Sequence, residues 1–173
     1  TLEGCEKFTE LTTLYCGDNK LTSLEPLKHL RKLKTISAED NHIEDVSALA
    51  NVESLRTLYL NSNKIKDVSP LRGLKHLDIL DLSENKLTQD SLETAVKGMS
   101  SLNVLRISEN RQCTSLAFAL NISSLKELSA EGIRIQDQST IRKLRSKLKS
   151  QLRIGGYESE SSDDLELDDE DDE

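Results

Sequence analysis

The residues of this 173-residue chain that could do chemistry fall into three groups. The first is a column: Asp18, Asp40, Ser62, Glu84 and Glu109 stand immediately before Asn19, Asn41, Asn63, Asn85 and Asn110. Carboxylates recurring at a nearly constant interval draw a line of negative charge, which suits a Lys/Arg-rich partner. Proton-transfer chemistry would instead need an acid and a base converging on one substrate atom. The second group is Tyr15, Glu39, Tyr59, Asp81 and Arg106, which alternate with apolar neighbours and so share one outward face of extended segments. Tyrosine and arginine there are the side chains that most often anchor protein interfaces. The third group is the C-terminal run Glu158 to Glu173, which includes Asp163, Asp164, Glu166, Asp168, Asp169, Glu170, Asp171, Asp172 and Glu173. Ser161 and Ser162 sit among these acids, in the setting acidophilic kinases prefer, and phosphate there would add about 1.5 to 2 negative charges each.

Other chemistries find no support in the residue spacing. His29, His42 and His76 are far apart and fall in different phases of the pattern described below. There is no Gly-rich phosphate loop, no HExxH and no nucleophile elbow. The expectation is therefore a non-enzymatic chain with no cofactor, no metal and no small-molecule substrate. Cys5, Cys16 and Cys113 are odd in number and lack CxxC spacing, which favours a reducing compartment. No apolar run approaches 18 residues, so no membrane span is expected. The chain opens at Thr1 without a signal-like segment, as a trimmed piece would.

The net charge of −8 conceals two opposite halves. Of the 31 acidic residues, eleven lie between Glu158 and Glu173, where there is no Lys or Arg; the remaining 20 face 23 basic residues, a net of +3. Arg142, Lys143, Arg145, Lys147, Lys149 and Arg153 follow one another with no acid between Ile141 and Ile154. That run alone would suit a polyanion, but a terminal segment of opposite charge begins just beyond it. The same segment would repel phosphates, which argues against nucleic acid.

The elements that must position these groups are legible as a repeat. The pattern L-x-x-L-x-L-x-x-N-x-L starts at Leu11, Leu33, Leu55 and Leu77, with weaker copies from Leu102 and Leu125. The steps are 22, 22, 22, 25 and 23 residues. Aromatics are only 3% of the chain and Trp is absent, so the core must be built from similar aliphatic layers, as in a stacked repeat. Within L-x-x-L-x-L the alternation is that of a short strand, and stacked copies make a parallel sheet. The asparagine falls where the chain leaves the strand, and its amide can satisfy turn groups otherwise left unpaired at about 1–3 kcal/mol each. Val46, Leu49 and Val52, like Val68, Leu71 and Leu74, recur every three residues, the period of 3₁₀ turns.

The fold class expected is α/β: a right-handed leucine-rich-repeat solenoid with a concave parallel sheet of about six strands and a 3₁₀/helical convex side. The longer fourth step holds a short helix over 90–99, with Leu92, Val96 and Met99 on one face and Asp90 or Ser91 as cap. A capping helix is expected over about 139–154, with Ser139 or Thr140 as its cap and Ile141, Leu144, Leu148 and Leu152 facing the last repeat. The leucine-rich-repeat domain thus spans 1–156. Residues 157–173 cannot bury enough apolar surface to offset ordering and are expected to be disordered.

This organisation resembles the acidic leucine-rich nuclear phosphoproteins. The likeness rests on Leu2-Glu3-Gly4, Phe8, Glu10-Leu11 and Leu21-Thr22-Ser23-Leu24, on the lengthened repeat from Asp81 through Leu102, and on Ile133 in place of asparagine. Gln151 to Glu158 is similar to the end of that family's cap. The resemblance implies a phosphoprotein of nucleus and cytoplasm, a histone-binding chaperone or regulator acting through its acidic tail, and inhibition of a serine/threonine phosphatase. The strict 22-residue period of the first half also resembles the regulatory leucine-rich subunit of type-1 protein phosphatase. That resemblance implies docking of the phosphatase through aromatics and acids of the concave face.

Overall fold

The computed structural model describes residues 1–155. The terminal acidic segment, with Asp163 to Glu173, Ser161 and Ser162, lies outside the described residues. Seven strands follow in chain order: Thr13–Tyr15 (β1), Thr35–Ser37 (β2), Thr57–Tyr59 (β3), Ile79–Asp81 (β4), Val104–Arg106 (β5), Glu127–Ser129 (β6) and Leu152–Arg153 (β7). They form one sheet in which each pairs in parallel only with its neighbours in the chain. The register stacks Leu14, Ile36, Leu58, Leu80, Leu105 and Leu128 above one another. From Ile36 onward these inward residues are fully buried, while Leu14, in a strand that among the described residues pairs on one side only, is half-buried.

The three-residue spacing of the return arm gives 3₁₀ turns at Glu25–Leu27, Ser47–Leu49 and Ser69–Gly73, and Val46, Leu49, Val52, Val68, Leu71 and Leu74 are all buried. The longer fourth step gives helix α1, Gln89–Val96. Its cap is Thr88, whose Oγ1 accepts from the Ser91 amide at 3.3 Å, rather than Asp90 or Ser91. Gly98, just past α1, lies so close to the preceding convex turn that a Cβ there would stand 1.9 Å from the Arg72 carbonyl oxygen. The next return arm forms helix α2, Ala117–Leu120, which the spacing does not reveal. Here the core position slips by one residue: Cys113, not Gln112, fills the layer and is fully buried.

The C-terminal cap differs from its expectation. Helix α3 spans Gln138–Leu148 and is capped by Asp137, whose Oδ1 accepts from the amides of Ser139 (2.9 Å) and Thr140 (3.3 Å). Ile141, Leu144 and Leu148 are buried as their spacing requires, but the helix stops at Leu148 rather than running to 154. Lys149 turns the chain with φ 52°, and Leu152–Arg153 becomes the seventh strand beside β6. A strand there supplies partners to the outer edge of β6, as in the bond from the Ala130 amide to the Arg153 carbonyl (2.8 Å), which a longer helix would not do. Lys147 donates to the carbonyls of Ala119 (3.0 Å), Leu120 (3.3 Å) and Ile122 (2.7 Å), closing the end of α2. Burial pushes its amine below the ordinary lysine range.

Stacking is completed by the asparagines. Asn85 donates to the carbonyls of Leu60 (2.9 Å), Leu82 (3.1 Å) and Ser83 (3.1 Å), and its Oδ1 accepts from the Ile65 amide (2.9 Å). Asn41, Asn63 and Asn110 repeat this geometry, each tying its own turn to the layer before it. Asn19 is exposed, and among the described residues its side chain donates only to Cys16 (3.2 Å) and Gly17 (2.7 Å) within its own turn.

Candidate functional site

The sheet register builds the face. Tyr15, Ser37, Tyr59, Asp81, Arg106, Ser129 and, through β7, Arg153 lie in one row, each about 4.8 Å from the next. A parallel row, Thr13, Thr35, Thr57, Ile79, Val104 and Glu127, runs beside it. Seven strands at that spacing span roughly 29 Å.

The two halves of the row differ in character. Tyr15 is 76% exposed, with Tyr59 half-buried two strands away. Between them Glu39 accepts from the Ser37 hydroxyl at 2.5 Å, and its carboxylate stands over Gly17, where a Cβ would meet it at 2.5 Å. In the second half Arg106 is already engaged. Its Nε (3.1 Å) and Nη2 (2.8 Å) both donate to Glu127 Oε1, and Asp81 Oδ2 lies 3.9 Å from Nη1. Asp81 also accepts from the Ser83 amide at 3.0 Å. Arg106 thus braces three strands, one positive charge set against two carboxylates, and the open anchor of the face is the tyrosine end.

Along the rim, Asp18, Asp40, Ser62, Glu84 and Glu109 all have positive φ, between 51° and 60°. This left-handed turn costs most residues about 1–2 kcal/mol and is tolerated best by Gly, Asn and Asp. Gly132 (φ 73°) takes the same place in the sixth repeat, which the loss of asparagine at Ile133 otherwise obscures. Sequence reasoning read the column as charge and missed its backbone role; the signal was Gly132 in line with the acids. Of the rim acids, Glu109 faces Arg111 at 3.3 Å, whereas Asp18, Asp40 and Glu84 are exposed and form no ion pair among the described residues.

The remaining titratable groups have structural settings. His29, His42 and His76 are exposed and separate. Burial pushes the Cys16 thiol up to about 11, helped by the charges of Glu39 and Cys5, and burial alone does the same to Cys113. Both therefore stay protonated near neutral pH and are poor nucleophiles.

A leucine-rich-repeat family model matches in two copies, over residues 9–51 and 53–94. Among solved structures, an internalin C2 from Listeria monocytogenes is 36% identical with a TM-score of 0.75, covering 82% of this chain and 61% of its own. An internalin F from the same organism is 25% identical with a TM-score of 0.63, covering 86% and 48%. A leucine-rich-repeat protein of Leptospira interrogans, 23% identical with a TM-score of 0.72 over 88% of this chain and 38% of that one, shares the fold. This chain thus spans less than two thirds of each of these proteins. No curated protein matches it. The chain is a leucine-rich-repeat solenoid, an architecture that is in general a non-enzymatic protein-interaction module.

Proposed function

We propose that this solenoid binds a basic protein segment, such as that of a histone, through its acidic rim, the tyrosine end of its concave face and its acidic terminal run. The observation that carries the reading is the line of exposed carboxylates Asp18, Asp40 and Glu84, unpaired among the described residues, beside the open ring of Tyr15. Carboxylates repeated at solenoid spacing attract an extended Lys/Arg-rich chain over long range. The tyrosines then supply the short-range contact area that charge alone lacks. A regulatory or chaperone role in nucleus and cytoplasm belongs to this reading, as does phosphorylation at Ser161 and Ser162, which would deepen the negative charge.

The test is binding of core histones to the full chain, to a chain ending at Tyr157, and to Asp40→Asn/Glu84→Gln, at 0.15 M and 1 M salt, where the Debye length falls from about 8 to 3 Å. Loss of binding on truncation or at 1 M salt, and weakening in the rim variant, is the expected result. Equal, salt-insensitive binding by all three chains would overturn it. The exposed Tyr15 favours a second reading, docking of a serine/threonine phosphatase on the concave face. In that case Tyr15→Ala/Tyr59→Ala abolishes phosphatase binding while truncation at Tyr157 leaves it intact.

A further inference from the structure

Helix α3 closes the solenoid with one face and leaves the other without a partner among the described residues. Ile141, Leu144 and Leu148 are buried against the last repeat, and Lys147 is committed to the α2 carbonyls. Arg142, Lys143, Arg145, Lys149 and, in β7, Arg153 are all exposed, and none forms an ion pair among the described residues. Like charges crowded on three helical turns repel one another, and among the described residues this arrangement lacks a counter-charge.

We propose that the acidic segment 156–173 of the same chain docks on this basic face of α3. The charges are complementary: eleven carboxylates against a stretch, 141–154, that contains six bases and no acid. The reach is ample, since eighteen residues extend up to about 60 Å and eleven helical residues occupy about 16 Å. The point of departure sets the direction. Gly155 lies against Glu131, where a Cβ would stand 3.5 Å from the Glu131 Cβ, and the Glu109 carboxylate stands over Gly132 one layer in. A polyanion leaving there is repelled from the acidic rim and drawn toward Arg153 and α3. The contact covers the cationic face against outside polyanions and makes α3 an internal competitor for any basic protein that seeks the same acids.

The test uses the full chain, dilute and monomeric, with a zero-length carbodiimide that joins a carboxylate to an amine in contact, followed by peptide mapping. At 0.15 M salt, carboxylates of 158–173 are expected to couple to Lys143 or Lys149 at least five-fold more than to Lys20, Lys64 and Lys86, which are exposed as well, with the preference lost at 1 M salt. Nearness to the tether could also favour Lys149, so the deciding variant is Arg142→Gln/Arg145→Gln, which keeps both lysines and alters only exposed side chains. Docking predicts that its Lys143 yield falls several-fold. An unchanged yield in that variant, or even coupling across all five lysines in the parent chain, would overturn the proposal. No outside partner is needed, so failure here is distinct from failure to bind histones.

Discussion

Replacing Asn85 by alanine tests how far the stack depends on its asparagines. The carboxamide makes four hydrogen bonds, and not all of its partners are left equally stranded. The Leu60 carbonyl also accepts from Asn63 (3.1 Å), and the Leu82 carbonyl also accepts from Asn110 (2.9 Å). The Ile65 amide, by contrast, gives its proton to Asn85 Oδ1 at 2.9 Å inside the core. One orphaned buried donor costs about 1–3 kcal/mol, and the weakened carbonyl bonds add roughly 1 kcal/mol more. Asn85→Ala should therefore destabilise by about 2–4 kcal/mol. Asn19→Ala serves as the internal control: Asn19 is exposed and makes no bond to a neighbouring layer, so its loss should cost no more than about 0.5–1.5 kcal/mol. Urea unfolding followed by far-ultraviolet circular dichroism gives both values from the midpoints, provided the m-values agree. Equal losses at the two positions, or a loss below about 0.5 kcal/mol at Asn85, would refute the account of the asparagines as inter-layer ties.

Three further outcomes follow from the same geometry. Glu84 sits at φ 55°, so Glu84→Gly should be neutral to about 1 kcal/mol stabilising by urea midpoint, because relief of the left-handed turn exceeds or balances the added freedom of the unfolded chain; Glu84→Val should be clearly destabilising. Gly98→Ala would drive a methyl into the Arg72 carbonyl and should cost about 1–3 kcal/mol or more, read as a lower melting temperature, whereas a neutral result would mean that α1 can slide on the turn before it. The Thr140 and Ser139 hydroxyls and amides hold Asp137 down to about 2, from 3.8. A depressed carboxylate contributes stability that is complete above its unfolded value and lost as pH falls through its folded one. The melting-temperature gap between the parent chain and Asp137→Asn should accordingly be constant above about pH 4 and close toward pH 2; a gap that persists below pH 2 would show that the cap does not act through its charge.

What the sequence determines by itself is whatever the repeat enforces. Ile36, Leu58 and Leu80 must point inward because alternation along a strand has a period of two, and the 22-residue step returns each to the same place. The 3₁₀ turns at Ser47–Leu49 and Ser69–Gly73 follow from apolar residues every third position, and the burial of Ile141, Leu144 and Leu148 follows from helical spacing. Tertiary structure alone decides what depends on neighbouring layers. Leu152 fits the helical pattern of α3, yet the open edge of β6 recruits it into a seventh strand, because unpaired backbone groups outweigh one more helical turn. Cys113 enters the core only because the turn after Asn110 is one residue longer. Arg106 looks like a free cation in the sequence, and the register of β4, β5 and β6 sets it against Asp81 and Glu127. The rim acids show the same division: their spacing is written in the chain, but that each occupies a left-handed turn is a property of the stacked backbone, where strand must give way to turn once per layer.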